Sequence, residues 1–174
     1  MVEKIDLELL MKGYCSCLIF QQVHSDVEEF IPLIMTTITL QPTPSQKAHS
    51  DFNKEVFVDF MWAQIKTLSF LAYIIKLYQE VVAQHSHLMV QGMLSLLAQC
   101  PHEVAHLRKD LLIAARHILA TPLRTRFVPH MDRLFDENVL LGTGWTTHES
   151  LRPLAYSTLA DLVSYLKVEV AKIR

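Results

Sequence analysis

Glycine is almost missing from this chain of 174 residues, which contains only four. A sandwich or barrel that reverses direction every few residues needs many more, so all-β architectures rich in tight turns are excluded. Cysteine is scarce too: there are three, two of them in Cys15-Ser16-Cys17. An odd number at that spacing makes no disulfide framework, and it fits reduced thiols in a cytosolic or nuclear protein. A surplus of one charge is also lacking, since 16 basic residues meet 18 acidic ones for a net charge of −2. Nothing therefore draws the whole chain to nucleic acid or to an anionic membrane. The most apolar run, Thr67 to Ile75, is closed off by Lys66 and Lys76. It falls far short of the ~20 residues of a membrane span. The opening "MVEKIDLELL" mixes charged and apolar residues and has no signal-peptide core. The expectation is a soluble intracellular protein that contacts no membrane.

What is present favours helix. Hydrophobic residues make up 51% of the chain and charged residues 20%, far too apolar for a disordered tail. The apolar spacing is helical nearly throughout. It predicts a first helix over 3–22 and a second from a cap at Ser25 or Asp26 to about Thr39, with Pro32 tolerated near its start. "LQPTPSQKAHSD" (Leu40 to Asp51) reads as a loop, with Pro42 and Pro44 blocking helix. A long helix is predicted over 53–83. Its stripes Met61, Ile65, Leu68, Ala72, Ile75 and Phe60, Leu71, Ile74, Tyr78 imply packing on two sides. Further helices are predicted over 87–99, ending at Cys100-Pro101, and over 102–120. Another runs from Thr121-Pro122 to about Phe135. "ENVLLGTGW" reads as a turn. A last helix opens on a capping box, Thr146 with Glu149, and carries the stripe Leu151, Leu154, Ala155, Leu159, Leu162, Leu166. Pro153 should kink it or delay its start.

The fold expected is all-α: an α-α superhelix of HEAT-like solenoid type, with about three helix pairs plus one unpaired helix. Pairs spaced near the ~40–47 residues of HEAT repeats divide a single block, 1–174, into 3–39, 52–99, 102–135 and 146–172. The unpaired helix, the missing polar cap and the positive mean hydropathy suggest a fragment of something much larger.

Candidate sites are few. His102-Glu103-Val104-Ala105-His106 spells H-E-x-x-H, in which two His four apart on a helix hold zinc and the Glu serves as base. Here Pro101 puts His102 in the first turn of its helix. Thr125 and Arg126 stand in the window where a third ligand should follow, and Lys109 and Leu112 break the longer metzincin pattern. A helix start with Glu103 well placed in its first turn is the better reading, and a zinc hydrolase is the unfavoured alternative. Cys15 and Cys17 with His24 point to different faces of a helix and read as packed thiols. "GTG" lacks a dinucleotide fingerprint. Arg108, Lys109, Arg116, Arg124, Arg126 and Arg133 spread over more than one face and read as solvated surface rather than a nucleic-acid patch.

"LRPLAYSTLADLV" (Leu151 to Val163) follows the second-helix pattern of HEAT repeats, and "LRKDLLIAARHIL" (Leu107 to Leu119) is a looser copy. Four longer strings are more specific: "AQIKTLSFLAYIIKLYQE" (Ala63 to Glu80), "AHLRKDLLIAARHIL" (Ala105 to Leu119), "MDRLFDE" (Met131 to Glu137) and "ESLRPLAYSTLADLV" (Glu149 to Val163). In order, from about Tyr14 to Val163, they resemble the helical-repeat region of the transformation/transcription domain-associated (TRRAP) family. The resemblance implies giant nuclear proteins related to phosphatidylinositol-3-kinase-like kinases, whose kinase-like domain has lost its catalytic residues. These proteins are scaffolds of histone acetyltransferase co-activator complexes of the SAGA and TIP60 kinds and bind transcription activators. For this chain it implies a non-catalytic scaffold segment in the nucleus, with complex subunits and activators as protein partners. No direct nucleic-acid contact, small-molecule ligand or cofactor is implied, and no catalytic, cofactor-binding or metal residue carries over. A HEAT adaptor unrelated to chromatin is the other alternative.

Overall fold

The computed structural model describes residues 27–136, 139 and 151–173. The first helix predicted over 3–22, the Ser25 and Asp26 cap, Cys15 and Cys17 with His24, the GTG turn and the Thr146 capping box lie outside the described residues.

Helix α1 spans Val27–Thr37 with Pro32 inside it, and Thr36 Oγ1 donates to the Pro32 carbonyl at 2.8 Å. The stretch read as loop contains a short helix, α2, Pro44–Lys47. Pro44 starts this helix instead of blocking one, because a first-turn residue needs no amide hydrogen. Thr43 and Gln46 close a reciprocal capping box around it.

Asn53 caps the long helix α3, Lys54–Leu77, by accepting from the Glu55 and Val56 amides. α3 ends six residues short of the predicted Ala83. At Tyr78 the backbone turns aside (φ −129°, ψ 50°), and a separate helix α4 follows, Gln79–Gln84. Hydrogen bonding runs on across the bend, from the Tyr78 amide to Ile74 and from the Val82 amide to Tyr78. No Gly or Pro marks it. Both predicted stripes of α3 are at least half-buried, and Met61, Ile65 and Leu68 are fully buried. α3 is long and apolar enough to cross a membrane by length and composition, a property that run length alone did not reveal. Its buried face packs into the protein core.

α5 is Ser86–Gln99, and it stops where Cys100 takes the extended backbone (ψ 124°) that Pro101 demands. α6 is Ala105–Leu119, three residues later than predicted. Beyond Thr121, whose Oγ1 accepts from the Leu123 amide, the predicted α-helix is instead a 3-10 helix, Pro122–His130, followed by α7, Met131–Leu134. A second proline, Pro129, sits inside the 3-10 stretch and removes a further amide donor. The last helix, α8, is Arg152–Ile173. It places Pro153 in the first turn, where the missing donor costs nothing.

These helices form two layers. In one, α3, α6 and α8 lie side by side. In the other, α1, α5 and the 3-10 helix do the same, and each packs across onto the first layer. Among the described residues there is no strand. One apolar core runs between the layers, from Ile31 and Met35 through Leu68, Met93 and Leu111 to Phe127 and Leu162.

A polar residue sits in that core. Gln64 is 1% exposed; its Nε2 donates to the Thr37 and Leu40 carbonyls at 2.8 and 2.7 Å, and its Oε1 accepts from Gln41 Nε2 at 3.3 Å. It thereby closes the C-terminal end of α1, whose last carbonyls have no partner within the helix. Gln64→Leu roughly keeps the volume but strands the Leu40 carbonyl and leaves the Thr37 carbonyl only a long bond from the Leu40 amide at 3.4 Å. We expect a loss of about 1.5 kcal/mol in urea unfolding; an unchanged midpoint would show that the Leu40 carbonyl finds another donor.

Candidate functional site

The H-E-x-x-H residues do not share a helix. His102 and Glu103 occupy a turn after Pro101, Val104 precedes the helix, and only His106 lies within α6. The motif's chemistry needs both imidazoles one helical turn apart on the same face, and that premise fails. The structure also corrects the expectation that Glu103 sits in the helix's first turn, which holds no acidic residue. Glu103 and His106 are exposed and His102 is half-buried. Pro101 forces Cys100 into extended backbone and so ends α5, and a turn closed by the Val104 amide on the Pro101 carbonyl at 3.3 Å comes before α6.

The basic residues of the same segment separate into distinct roles. Lys109, Arg126 and Arg133 are exposed, as read from the sequence. Arg116 pairs with Asp161 and so ties α6 to α8. The Arg124 guanidinium stands over the Tyr165 ring, 5.8 Å from its centroid.

Arg108 departs from the reading altogether: it is 1% exposed. Its Nη1 donates to the Leu97 and Cys100 carbonyls at 3.1 and 3.3 Å. The cation therefore sits where α5 presents unpaired carbonyls and the negative end of its dipole. Nε and Nη2 make no hydrogen bond of sound geometry among the described residues, and burial lowers the guanidinium's pKa. No feature of "AHLRK" separates this arginine from its exposed neighbours. Only its register with Leu107 and Leu111 on the buried face could have flagged it.

Cys100 lies beside this guanidinium. Burial pushes its thiol up from the ordinary 9.0 to about 11, although Arg108 pulls the other way. The folded chain then holds this proton to higher pH than the unfolded chain does. Stability is lost as pH rises from about 9 towards 11. The loss at pH 10 should be about 1 kcal/mol relative to pH 8, and Cys100→Ala should lack that component. Parallel denaturation curves for the two proteins at both pH values check this; equal alkaline losses would exclude Cys100 as the source.

The remaining candidate is a surface, the outer side of the α3–α6–α8 layer. Lys66 Nζ reaches Asp110 Oδ2 at 2.8 Å, so α3 is laced to α6 as α6 is laced to α8. Lys66 also stands 5.6 Å from the centroid of the Trp62 ring. Between these contacts Tyr73 (66% exposed), Leu77 (69%) and Ile113 (37%) face solvent. Two shallow grooves of about 230 and 310 Å³ flank the ridge that Ile113 and His117 form. Ion-paired rims around exposed aromatic and aliphatic side chains are the composition of a protein-binding face. They offer no arrangement of nucleophile and base. The sequence did carry a signal here, since Trp62, Lys66, Ser69, Tyr73 and Lys76 recur at helical spacing on the face of α3 away from its core stripe.

Residues 56–172 match the family described as the Tra1 HEAT repeat central region. The transformation/transcription domain-associated protein of Danio rerio is 61% identical over 145 residues, or 83% of this chain, and its Homo sapiens counterpart is 60% identical over the same length. The SAGA complex/NuA4 acetyltransferase complex subunit TRA1 of Saccharomyces cerevisiae is 38% identical over 167 residues. The chain spans about 4% of the length of each of these relatives. No solved structure matches it. A family match over two thirds of the chain, together with the two-layer helix stack, leads to one conclusion: the chain belongs to the Tra1 HEAT repeat central region family, an all-α solenoid.

Proposed function

We propose that the chain is a non-catalytic scaffold segment of a transcription co-activator subunit of histone acetyltransferase complexes, acting in the nucleus. Its partners are proteins, namely other subunits of such complexes and transcription activators. It needs no cofactor and makes no direct contact with nucleic acid, membrane or small molecules. The observation that carries this reading is 60% identity to the human relative over 83% of the chain. The yeast relative's name as a SAGA and NuA4 subunit supports it. So do the exposed Tyr73 and Ile113, which give a stacked-helix segment an apolar face for other proteins. We propose too that 1–174 forms one repeat block and holds no catalytic or metal residue.

Affinity capture of the tagged chain from nuclei, with quantitative mass spectrometry, tests the proposal. Recovery of acetyltransferase-complex subunits, reduced by the paired change Tyr73→Ser and Ile113→Ser, is expected. Failure to recover any such subunit overturns it. Metal analysis of the same preparation should find no stoichiometric zinc; zinc that disappears on His106→Ala would restore the hydrolase reading.

A further inference from the structure

The connection from α1 to α3 has a feature that scaffolding does not require. Thr43 has extended backbone, φ −67° and ψ 158°, the polyproline II region, between Pro42 and Pro44, the first residue of α2. Thr43 is exposed, and so are Pro44, Ser45 and Gln46. An enzyme groove that accepts the extended Thr43 meets a presented hydroxyl followed by a residue with no amide hydrogen. A proline-directed protein kinase reads this combination.

The Thr43 hydroxyl is also the centre of the local structure. Its Oγ1 accepts from the Gln46 amide at 3.2 Å, and it lies 3.1 Å from Gln46 Oε1 and 2.9 Å from Ser45 Oγ. Gln46 Oε1 in turn accepts from the Thr43 amide at 2.8 Å. One turn on stands Lys47, whose amide bonds the Thr43 carbonyl at 3.0 Å. Its ammonium reaches across to Gln99 Oε1 at 2.7 Å and lies 4.8 Å from the centroid of the Phe57 ring. Phe57, with Phe52, Phe60, Leu40 and Val56, lines an open depression of about 890 Å³. Lys47 thus holds α2 to α5 and covers part of an apolar floor.

We propose that Thr43 is a phosphorylation site for a proline-directed kinase, and that its phosphate draws Lys47 off Phe57 and Gln99. In the step itself, the Thr43 Oγ–phosphorus bond forms as the bond between the γ-phosphorus of a nucleoside triphosphate and its bridging oxygen breaks. The nucleoside diphosphate leaves, and the hydroxyl proton passes to the kinase's base. The product can no longer donate to Gln46 Oε1, and it sets a dianion one turn below an ammonium whose present contacts are a neutral amide and a ring. A charge-assisted bond to phosphate outcompetes both. The loop opens on the Phe57 side. The proposal is independent of the scaffold reading.

The test uses the full chain, a proline-directed kinase and ATP, with the modified residue located by mass spectrometry. Phosphate on Thr43 is expected, lost in Thr43→Val and largely lost in Pro44→Ala, both folded by circular dichroism. Phosphate on Ser45 or elsewhere with Thr43 untouched, or full labelling of Pro44→Ala, overturns the site. The second readout is the ring-current shift that Phe57 imposes on the Lys47 side-chain protons. On phosphorylation the ratio of released to stacked Lys47 should rise about fivefold, the scale of one exposed charge-assisted contact. An unchanged shift on fully phosphorylated protein overturns the switch.

Discussion

Arg108→Ala should lower the unfolding free energy by about 3 kcal/mol. Two costs add. The Leu97 and Cys100 carbonyls lose their donor inside the core, and a cavity opens where a fully buried side chain stood. One term opposes them, since removing a desolvated cation relieves its burial. Arg108→Met separates these terms. It restores most of the volume and removes the charge but still strands the carbonyls, so a loss of about 1 kcal/mol is expected. Urea denaturation followed by circular dichroism gives both values. Equal losses for Ala and Met would mean that the carbonyls dominate and the cavity closes. A neutral Arg108→Ala would remove the residue from the fold's account entirely.

Gly92→Ala should also destabilise, by about 2 kcal/mol, against the sign that helix propensity alone would give. Gly92 lies inside α5 and is buried. A Cβ there would stand 2.5 Å from Ile38 Cγ1, 2.7 Å from Ile38 Cδ1 and 3.2 Å from the Ile38 carbonyl oxygen. Ile38 is itself fully buried and β-branched, so it has little rotamer freedom with which to retreat. On a solvent-facing helix the same change would gain about 1 kcal/mol. The close approach of the α1 end to α5 reverses the sign. A double-mutant cycle isolates the cause. With Ile38→Ala present, Gly92→Ala should become nearly neutral, a coupling of about 2 kcal/mol. Additive losses would instead place the strain in the α5 backbone.

Helices were legible wherever the apolar period was strong, as in the two buried stripes of α3 and the stripe Leu107, Leu111, Ala114, Ala115, Ile118 of α6. The stop at Cys100-Pro101 and the start at Thr121-Pro122 were legible because proline acts through its own ring, whatever surrounds it. The bend at Tyr78 was not, because no residue there has a local reason to leave the helix. Tyr78 is half-buried against the core, and tertiary packing sets the direction. Pro44 misled for the opposite reason: at the first turn of a helix the same ring that breaks a helix begins one. The 3-10 helix has an apolar pattern that also suits α, and only its hydrogen bonding distinguishes the two.

The candidate site was legible by family strings more than by chemistry. "HEVAH" satisfied a pattern of letters while failing its physical condition, a shared helical face. Arg108 was invisible because burial of an arginine depends on which carbonyls lie opposite, and those belong to a different helix. Gln64 escaped notice in the same way, since its partners lie more than twenty residues away.

The two-layer arrangement has a further consequence. Each principal contact joins a helix to an immediate neighbour along or across the stack, so the molecule has no keystone on which every other part depends. It behaves more like a row of linked cells, each stabilised by those that touch it. A lesion at Arg108 then stays local. Amide exchange should quicken most in α5 and α6, the helices it joins, and less in the helices that touch them. A chain built in this way confines a change in one cell largely to the cells that touch it.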